Sequence, residues 1–262
     1  MKTSKLFGIA LVAAMLAGMA GAAPYVVMNN GKKVVGSKIR ALSNGDINLT
    51  TDMGIRTFPK GSYVQAVADK PAEYDKAVAA YKAKKFDVAG KLLEGIMKDY
   101  RNLGWDVQAA KLLPQVLLAQ GDAEGAVTAY SKLFMLAPEE KKNADMAWGM
   151  RNAMLKAKQY PALIRQLDAV AANGSRADAA RAQNMRGDIQ LAQNNVELGA
   201  LEYLRTAILF KDVRDAEIQG EAHYKAAVAL EQLRDPRAKE MYQIVVKQYG
   251  ASRYASQARG KL

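Results

Sequence analysis

The stretch Leu113–Pro138, LPQVLLAQGDAEGAVTAYSKLFMLAP, shows the architecture of this chain most clearly. An apolar run of helical period comes first, and Gly121-Asp122 interrupts it. A second helical run follows, in which Ala126 and Tyr130 stand four residues apart. A small residue at a helix crossing lets two helices approach closely, and an aromatic ring fills the space behind it. The stretch therefore predicts two helices that pack on each other across a short turn.

The same pattern recurs along most of the chain. Further copies are Ala77–Arg101, Arg186–Ala207 and Ala226–Gly250, with a degenerate copy through Trp148, Tyr160, Leu163 and Leu167. The anchors Ala89, Ala126, Leu163, Gly199 and Ala238 follow one another at 37, 37, 36 and 39 residues. One helix pair cannot bury both of its faces, so neighbouring pairs are expected to stack.

From Pro71 onward the pattern predicts helices separated by short breaks. The breaks are expected at Lys84–Phe86, Arg101–Gly104, Gly121-Asp122, Pro138, Lys158–Pro161, Asn173-Gly174, Gln193–Asn195, Asp235-Pro236 and Gly250. None of these is long enough for an interdomain linker. We therefore expect one helical domain over residues 71–262.

The repeat resembles the tetratricopeptide repeat, a helix pair of about 34 residues, without the first-helix tryptophan of that consensus. The resemblance implies a mainly α fold, a right-handed α-α superhelix of four to five pairs. Glu221–Leu262 is similar to the last repeats of the Tol–Pal cell-division coordinator and of outer-membrane assembly lipoproteins, with Gly250 where those have proline. This second resemblance implies a bacterial cell envelope setting.

In tetratricopeptide arrays the first helices line a concave groove that holds a protein or peptide partner. Carried onto this register, the groove residues are Tyr74, Tyr81, Lys82, Gln108, Lys111, Gln115, Trp148, Asn152, Lys156, Arg181, Asn184, Asp188, Tyr224 and Glu231. The Asn, Lys and Arg side chains are expected to clamp an extended backbone or a terminal carboxylate, and the tyrosines to anchor it. The alternative is that these residues form the ordinary solvent-exposed face of amphipathic helices and have no binding role.

The N-terminus has the pattern of a cleaved signal peptide over residues 1–22. Lys2 and Lys5 precede the apolar run Leu6–Gly18, and Ala20-Gly21-Ala22 forms a small-residue cleavage site. The rival interpretation, an uncleaved membrane anchor, needs about 20 strongly apolar residues, which this run lacks. We expect a mature chain that begins near Ala23 and is exported to the periplasm or secreted.

Residues 23–70 predict a small β domain. Short runs of alternating polarity are separated by turn residues, and they are YVVM (25–28), KKVVGSKIRAL (32–42), INLTT (47–51), IRTF (55–58) and YVQAVA (63–68). Gly36 stands inside the second run, where a glycine often marks a bend. The segment resembles the small five-stranded SH3-like β-barrel domains of exported bacterial proteins. Such domains bind peptides or pack on a neighbouring domain.

Composition argues against catalysis and cofactors. The chain has no Cys and one His, which excludes thiol chemistry, Cys-ligated metals and multi-His metal sites. No phosphate-binding glycine motif and no nucleophile elbow occurs. His223 stands at an apolar first-helix position and is expected to pack there. We therefore expect no cofactor, no metal and no enzymatic activity.

The net charge of +12 leaves a second function open. An exported chain does not meet nucleic acid, so the polyanions within its reach are wall polymers, lipids and glycans. The leading prediction is a non-catalytic scaffold of the envelope that binds a protein or peptide. The alternative is a binder of an anionic polymer through the basic surface. Salt dependence separates the two.

Overall fold

The computed structural model describes residues 23–262, and the predicted signal peptide lies outside the described residues. The prediction of a mainly helical chain after a small N-terminal β region is confirmed. The chain divides into two compact units, the first ending at Ala153 and the second beginning at Met154.

Six strands form the β region of the first unit. They are β1 (Tyr25–Met28), β2 (Lys33–Val35), β3 (Lys38–Ala41), β4 (Ile47–Thr51), β5 (Gly54–Phe58) and β6 (Tyr63–Val67). They make two antiparallel three-stranded sheets, in the orders β2-β1-β6 and β3-β4-β5. The five-strand prediction is wrong in its second strand, which the structure divides into β2 and β3.

Gly36 is the point of that division. Its N–H donates to the Pro24 carbonyl at 2.9 Å, while the next N–H, of Ser37, donates to the Thr50 carbonyl at 2.8 Å. A Cβ at Gly36 would lie 2.2 Å from that Thr50 oxygen. Only glycine therefore lets the chain pass from one sheet to the other at this close approach.

Eleven α-helices follow in the described part of the chain. They are α1 (Ala72–Lys82), α2 (Phe86–Asp99), α3 (Trp105–Gln120), α4 (Ala123–Leu136), α5 (Ala144–Lys156), α6 (Tyr160–Asn173), α7 (Arg176–Ala192), α8 (Val196–Leu209), α9 (Ala216–Gln232), α10 (Arg237–Gln248) and α11 (Ala255–Arg259). A 3₁₀ helix, Pro138–Lys142, stands between α4 and α5. Each predicted break coincides with a helix end to within about two residues.

The same turn closes every first helix. Lys84, Gly121, Lys158, Asn194 and Arg234 all have positive φ. In each turn the next N–H donates to the carbonyl five residues back at 2.8–2.9 Å, as Lys85 does to Ala80 and Asp235 does to Leu230. This is the Schellman motif, in which a left-handed residue ends a helix and satisfies its last carbonyls. The described residues thus contain five first helices, α1, α3, α5, α7 and α9, each followed along the chain by a second helix.

One break is absent from the prediction. Helix α8 ends at Leu209, and α9 begins at Ala216. The connecting residues contain neither Gly nor Pro, the usual breakers. The new helix begins because the Asp215 carboxylate accepts the N–H groups of Glu217 and Ile218 at 2.9 and 3.1 Å.

The first unit has a continuous apolar core that includes strands and helices. Buried Ile47 and Phe58 of the sheets belong to the same cluster as Leu93 and Trp105 of the helices. The Trp105 indole N–H donates to the Ala68 carbonyl at 3.0 Å, just after β6. The predicted β and helical regions therefore share one apolar core across residue 70.

The second unit packs helix against helix. Consecutive helices from α6 to α11 contact one another, and the first helices α7 and α9 also touch directly. Gly187 of α7 lies against the ring of Tyr203 of α8, where a Cβ would be 2.5 Å from a ring carbon. Tyr203 is fully buried. The pair is the small-against-large crossing that the repeat predicts.

Candidate functional site

The five Schellman turns give the predicted groove residues a common register. Each turn is closed by a hydrogen bond to one carbonyl of its first helix. In the five helices, the residue six positions before that carbonyl is Tyr74, Lys111, Trp148, Asn184 and Tyr224, respectively. The first, third and fourth of these are buried, and the other two are half-buried. This position therefore faces neighbouring helices more than solvent.

Three predicted groove residues have almost no surface to offer a partner. Tyr74 is 1% exposed, with its ring centroid 5.1 Å from that of Trp105. Trp148 is 4% exposed. Asn184 is 1% exposed, and its amide donates to the Ile218 carbonyl of α9 at 3.0 Å. Their side chains are buried in the described fold, and whether they contact a partner stays a prediction.

The other predicted residues remain at the surface to different degrees. Exposed side chains are Lys82, Asn152, Lys156, Arg181 and Glu231, and half-buried ones are Tyr81, Gln108, Lys111, Gln115, Asp188 and Tyr224. Whether they bind a partner stays a prediction.

In the first unit, Lys111 is held by an ion pair. Its Nζ lies 2.6 Å from Glu140 Oε1, in the 3₁₀ helix, and the Asn143 amide donates to the other oxygen of that carboxylate at 2.9 Å. The two charged side chains are only 16% and 13% exposed. Lys111 is thus directed toward the 3₁₀ helix, and little of the ion pair is exposed to solvent.

The second unit brings charged groups of two first helices together. Lys225 of α9 lies 2.6 Å from Asp188 of α7 and 2.7 Å from Glu221, one turn earlier in α9. The Tyr203 hydroxyl donates to Asp188 at 2.7 Å, and the Tyr254 hydroxyl donates to Glu221 at 2.9 Å. We call these five residues the Lys225 network. Its three charged side chains are 17–24% exposed, so it reaches the surface.

Burial and mutual charge set the protonation states of the network. Burial raises the pKa of Asp188, against the opposing effect of Lys225. For Glu221, burial also acts to raise the pKa, but Lys225 and the Tyr254 hydroxyl outweigh it and the pKa is lowered. The pKa of Lys225 is raised because two carboxylates outweigh its desolvation. The ammonium group is therefore charged at neutral pH and shared between the carboxylates.

Aromatic rings border this network. The Tyr224 ring lies 5.4 Å from that of Tyr254 and 5.8 Å from that of Tyr242. Arg253 stacks on the Tyr254 ring at 4.9 Å and donates to its hydroxyl at 2.9 Å. Of the bordering groups the sequence predicted only Tyr224. The spacing of Glu221 and Lys225, four residues apart on one helix, indicates the ion pair between those two residues and nothing beyond it.

His223 lies in the core of the second unit. It is 7% exposed, its Nδ1 lies 2.9 Å from the Gln219 carbonyl, and its ring centroid is 5.1 Å from that of Tyr249. Burial lowers its pKa below the ordinary 6.5. Within residues 23–262 no group of three or more acidic or His side chains is arranged to hold a metal ion. None of the helices in that range is long and apolar enough to cross a membrane.

No protein-family model matches the chain, and no curated protein matches it. Solved structures of MamA are similar to it. The MamA RS-1 ArsTM double mutant has 20% identity and a TM-score of 0.45, covering 68% of this chain and 93% of its own. MamA AMB-1 has 17% identity and a TM-score of 0.43, covering 69% and 99%. MamA MSR-1 has 16% identity and a TM-score of 0.40, covering 72% and 95%.

Proposed function

We propose that this chain is a non-catalytic scaffold of the bacterial cell envelope that holds a protein or peptide partner on its first helices. In this proposal the signal peptide is removed near Ala23, and the helix pairs form a tetratricopeptide-like right-handed superhelix after an SH3-like β domain. The Lys225 network is the observation that carries the proposal. It presents charged groups of α7 and α9 in a fixed arrangement at the surface.

A fixed arrangement favours binding for a physical reason. Ordering a free Lys or Glu side chain at an interface costs about 0.5–1.5 kcal/mol. Lys225 and Glu221 are already held by Asp188 and Tyr254. A partner that contacts them therefore meets side chains that have lost most of their rotamer freedom during folding. Exposed Arg181, two turns before Asp188 on α7, extends the same helix surface.

Charge reversal at Arg181 tests the proposal. The mature chain is immobilised, envelope extract is passed over it, and the amount of captured protein is compared between the wild type and Arg181→Glu. We expect capture to fall at least tenfold, about 1.4 kcal/mol of binding, and the melting midpoint of the variant is measured beside that of the wild type. Lys239→Glu, at an exposed position of the second helix α10, is the matched control and is expected to bind normally. Equal capture by all three proteins would refute the proposal.

The alternative function is binding of an anionic wall polymer, lipid or glycan, and the net charge of +12 favours it. Repeating the capture at low and moderate salt distinguishes the two. Binding that depends on general positive charge falls steeply with ionic strength and is weakened equally by Arg181→Glu and Lys239→Glu. Binding of a partner to the first helices depends on position 181 at both salt concentrations.

The envelope location has its own test. Mature protein isolated from its host is expected to begin at Ala23 or within a few residues of it. N-terminal sequencing that returned Met1 would contradict export. It would not bear on the binding surface, which the capture experiment tests.

A further inference from the structure

A cleft of about 690 Å³ lies in the first unit between strand β3 and helix α2. Its volume is within the range of about 300–1,000 Å³ typical of ligand pockets. Ser37–Arg40 form one wall, and Lys91, Gly95 and Asp99 form the facing wall. The cleft belongs to the β region and α2, and it includes none of the predicted groove residues.

The β3 wall is the edge of a sheet. Strand β3 pairs with β4 on one side only. Three consecutive residues of the strand, Lys38–Arg40, line the cleft together with the preceding Ser37, whereas a sheet face presents every second residue. The Leu42 N–H donates to the Asp46 carbonyl at 2.8 Å. In an antiparallel pair, successive residues of a strand bond alternately toward the partner strand and away from it. The main chain of Arg40 therefore bonds to β4, and the main chain of Ile39 points to the open edge. An open edge is a template for one more strand.

The α2 wall leaves room for a main chain. Gly95 lies inside the helix, and a Cβ placed on it would meet nothing within 4 Å. Glycine inside a helix costs about 1 kcal/mol relative to alanine, and here no neighbouring atom requires it. Its absent side chain widens the cleft opposite β3. Leu92, Ile96 and Leu103 add apolar surface between the walls.

One end of the cleft is acidic. Tyr100 lines it, and the pKa of its hydroxyl is raised by burial and then by Asp69, Glu73 and Asp99. Asp69, Glu73 and Asp99 line the same cleft as Tyr100. Neither Asp69 nor Asp99 forms a salt bridge within residues 23–262. A cationic side chain placed beside Tyr100 would complement them.

We propose that this cleft binds an extended peptide segment of a partner protein, which pairs with β3 as an added strand and places a Lys or Arg side chain beside Asp69 and Asp99. Main-chain bonds to Ile39 supply affinity, and the acidic end supplies specificity. The site is separate from the first-helix surface, so it stands or falls independently of the proposed scaffold function.

Peptide selection on the mature chain tests the proposal. A phage-displayed octapeptide library is panned on the protein, and enriched sequences are synthesised and titrated. We expect enrichment of extended sequences with one recurring basic residue. Gly95→Phe fills the cleft and is expected to weaken these peptides at least tenfold. Gly90→Phe is the control, because Gly90 is in the same helix, has the same open surroundings and does not line the cleft.

Hydrogen exchange distinguishes strand addition from any other mode of binding. At saturating peptide, exchange of the Ile39 amide is expected to slow at least tenfold, while the Leu42 amide, already bonded to Asp46, changes little. Asp99→Lys is expected to remove the preference for the basic residue. No enrichment, equal binding to the Gly95→Phe and Gly90→Phe variants, or unchanged exchange at Ile39 would each overturn the proposal. Loss of partner capture in Arg181→Glu bears on the scaffold function and not on this site.

Discussion

The two units contain the same repeated turn but have different interiors. Among the described residues, the first unit buries one polar side chain, Asp106, whereas the second buries Asn184, Thr206, Gln219, His223 and Ser252. The first unit has two sheets that add large apolar side chains to the helical core. The second has no strand, and among its buried polar side chains Asn184, Gln219 and His223 each have a hydrogen bond to a backbone carbonyl. We therefore expect the first unit to respond most to loss of volume, and the second to crowding and to pH.

Loss of volume in the first unit is expected to have the largest effect. Trp105 is fully buried and bonds to Ala68 across the junction between strands and helices. Trp105→Ala is expected to lower the free energy of unfolding by about 3–5 kcal/mol, measured by urea denaturation. Trp105→Phe, which keeps a ring but loses the bond to Ala68, is the control and is expected to cost clearly less. Equal losses in both variants would contradict an interior held mainly by packing.

The next largest loss of stability is expected from crowding a helix crossing in the second unit. Gly187→Ala places a methyl group 2.5 Å from a carbon of the buried Tyr203 ring. The expected cost is about 1–3 kcal/mol, because neither helix has space to yield. Gly90→Ala in α2 is the control, since its Cβ would meet open space and the helix gains up to about 1 kcal/mol. Similar melting midpoints for the two variants would show that α7 and α8 are packed less closely than described.

The pH dependence of the second unit is expected to be a smaller effect. Because burial lowers the pKa of His223 below 6.5, the unfolded chain binds more protons than the folded chain just below that pH. Stability should therefore fall as the pH drops from 7.5 to 5.5, by up to about 1.4 kcal/mol for each pH unit below 6.5. His223→Gln is expected to show a shallower slope in the same urea titrations. Carboxylates titrate in both proteins, so identical slopes would remove His223 as the cause.

The order of the helices could be predicted from sequence because helix pairs have to stack. The anchor spacing of 37, 37, 36 and 39 residues follows the five Schellman turns closely. Only one of those turns has glycine at the left-handed position, Gly121, whereas Lys84 and Arg234 adopt the same conformation without it. The presence of Gly or Pro is therefore a poor predictor of such turns. It also does not predict the break before Ala216, where the single capping residue Asp215 begins the helix.

The candidate site was less predictable, because the register of a repeat tells which face of a helix a residue occupies. It does not tell how deeply the side chain of that residue is buried. Lys111 and Asn184 occupy the same register position, yet one is half-buried in an ion pair and the other is fully buried against α9. The Lys225 network depends on α7 and α9 lying together. No local pattern in either helix specifies the contact between Asp188 and Lys225.

Site-specific photocrosslinking tests the central claim, that a partner lies against the first helices. A photoreactive amino acid is placed at position 181 of α7 in one protein and at position 239 of α10 in another, and both are irradiated in envelope extract. We expect one adduct of defined mass from position 181 and none from position 239. An adduct from position 239 alone, or equal labelling at both positions, would contradict it.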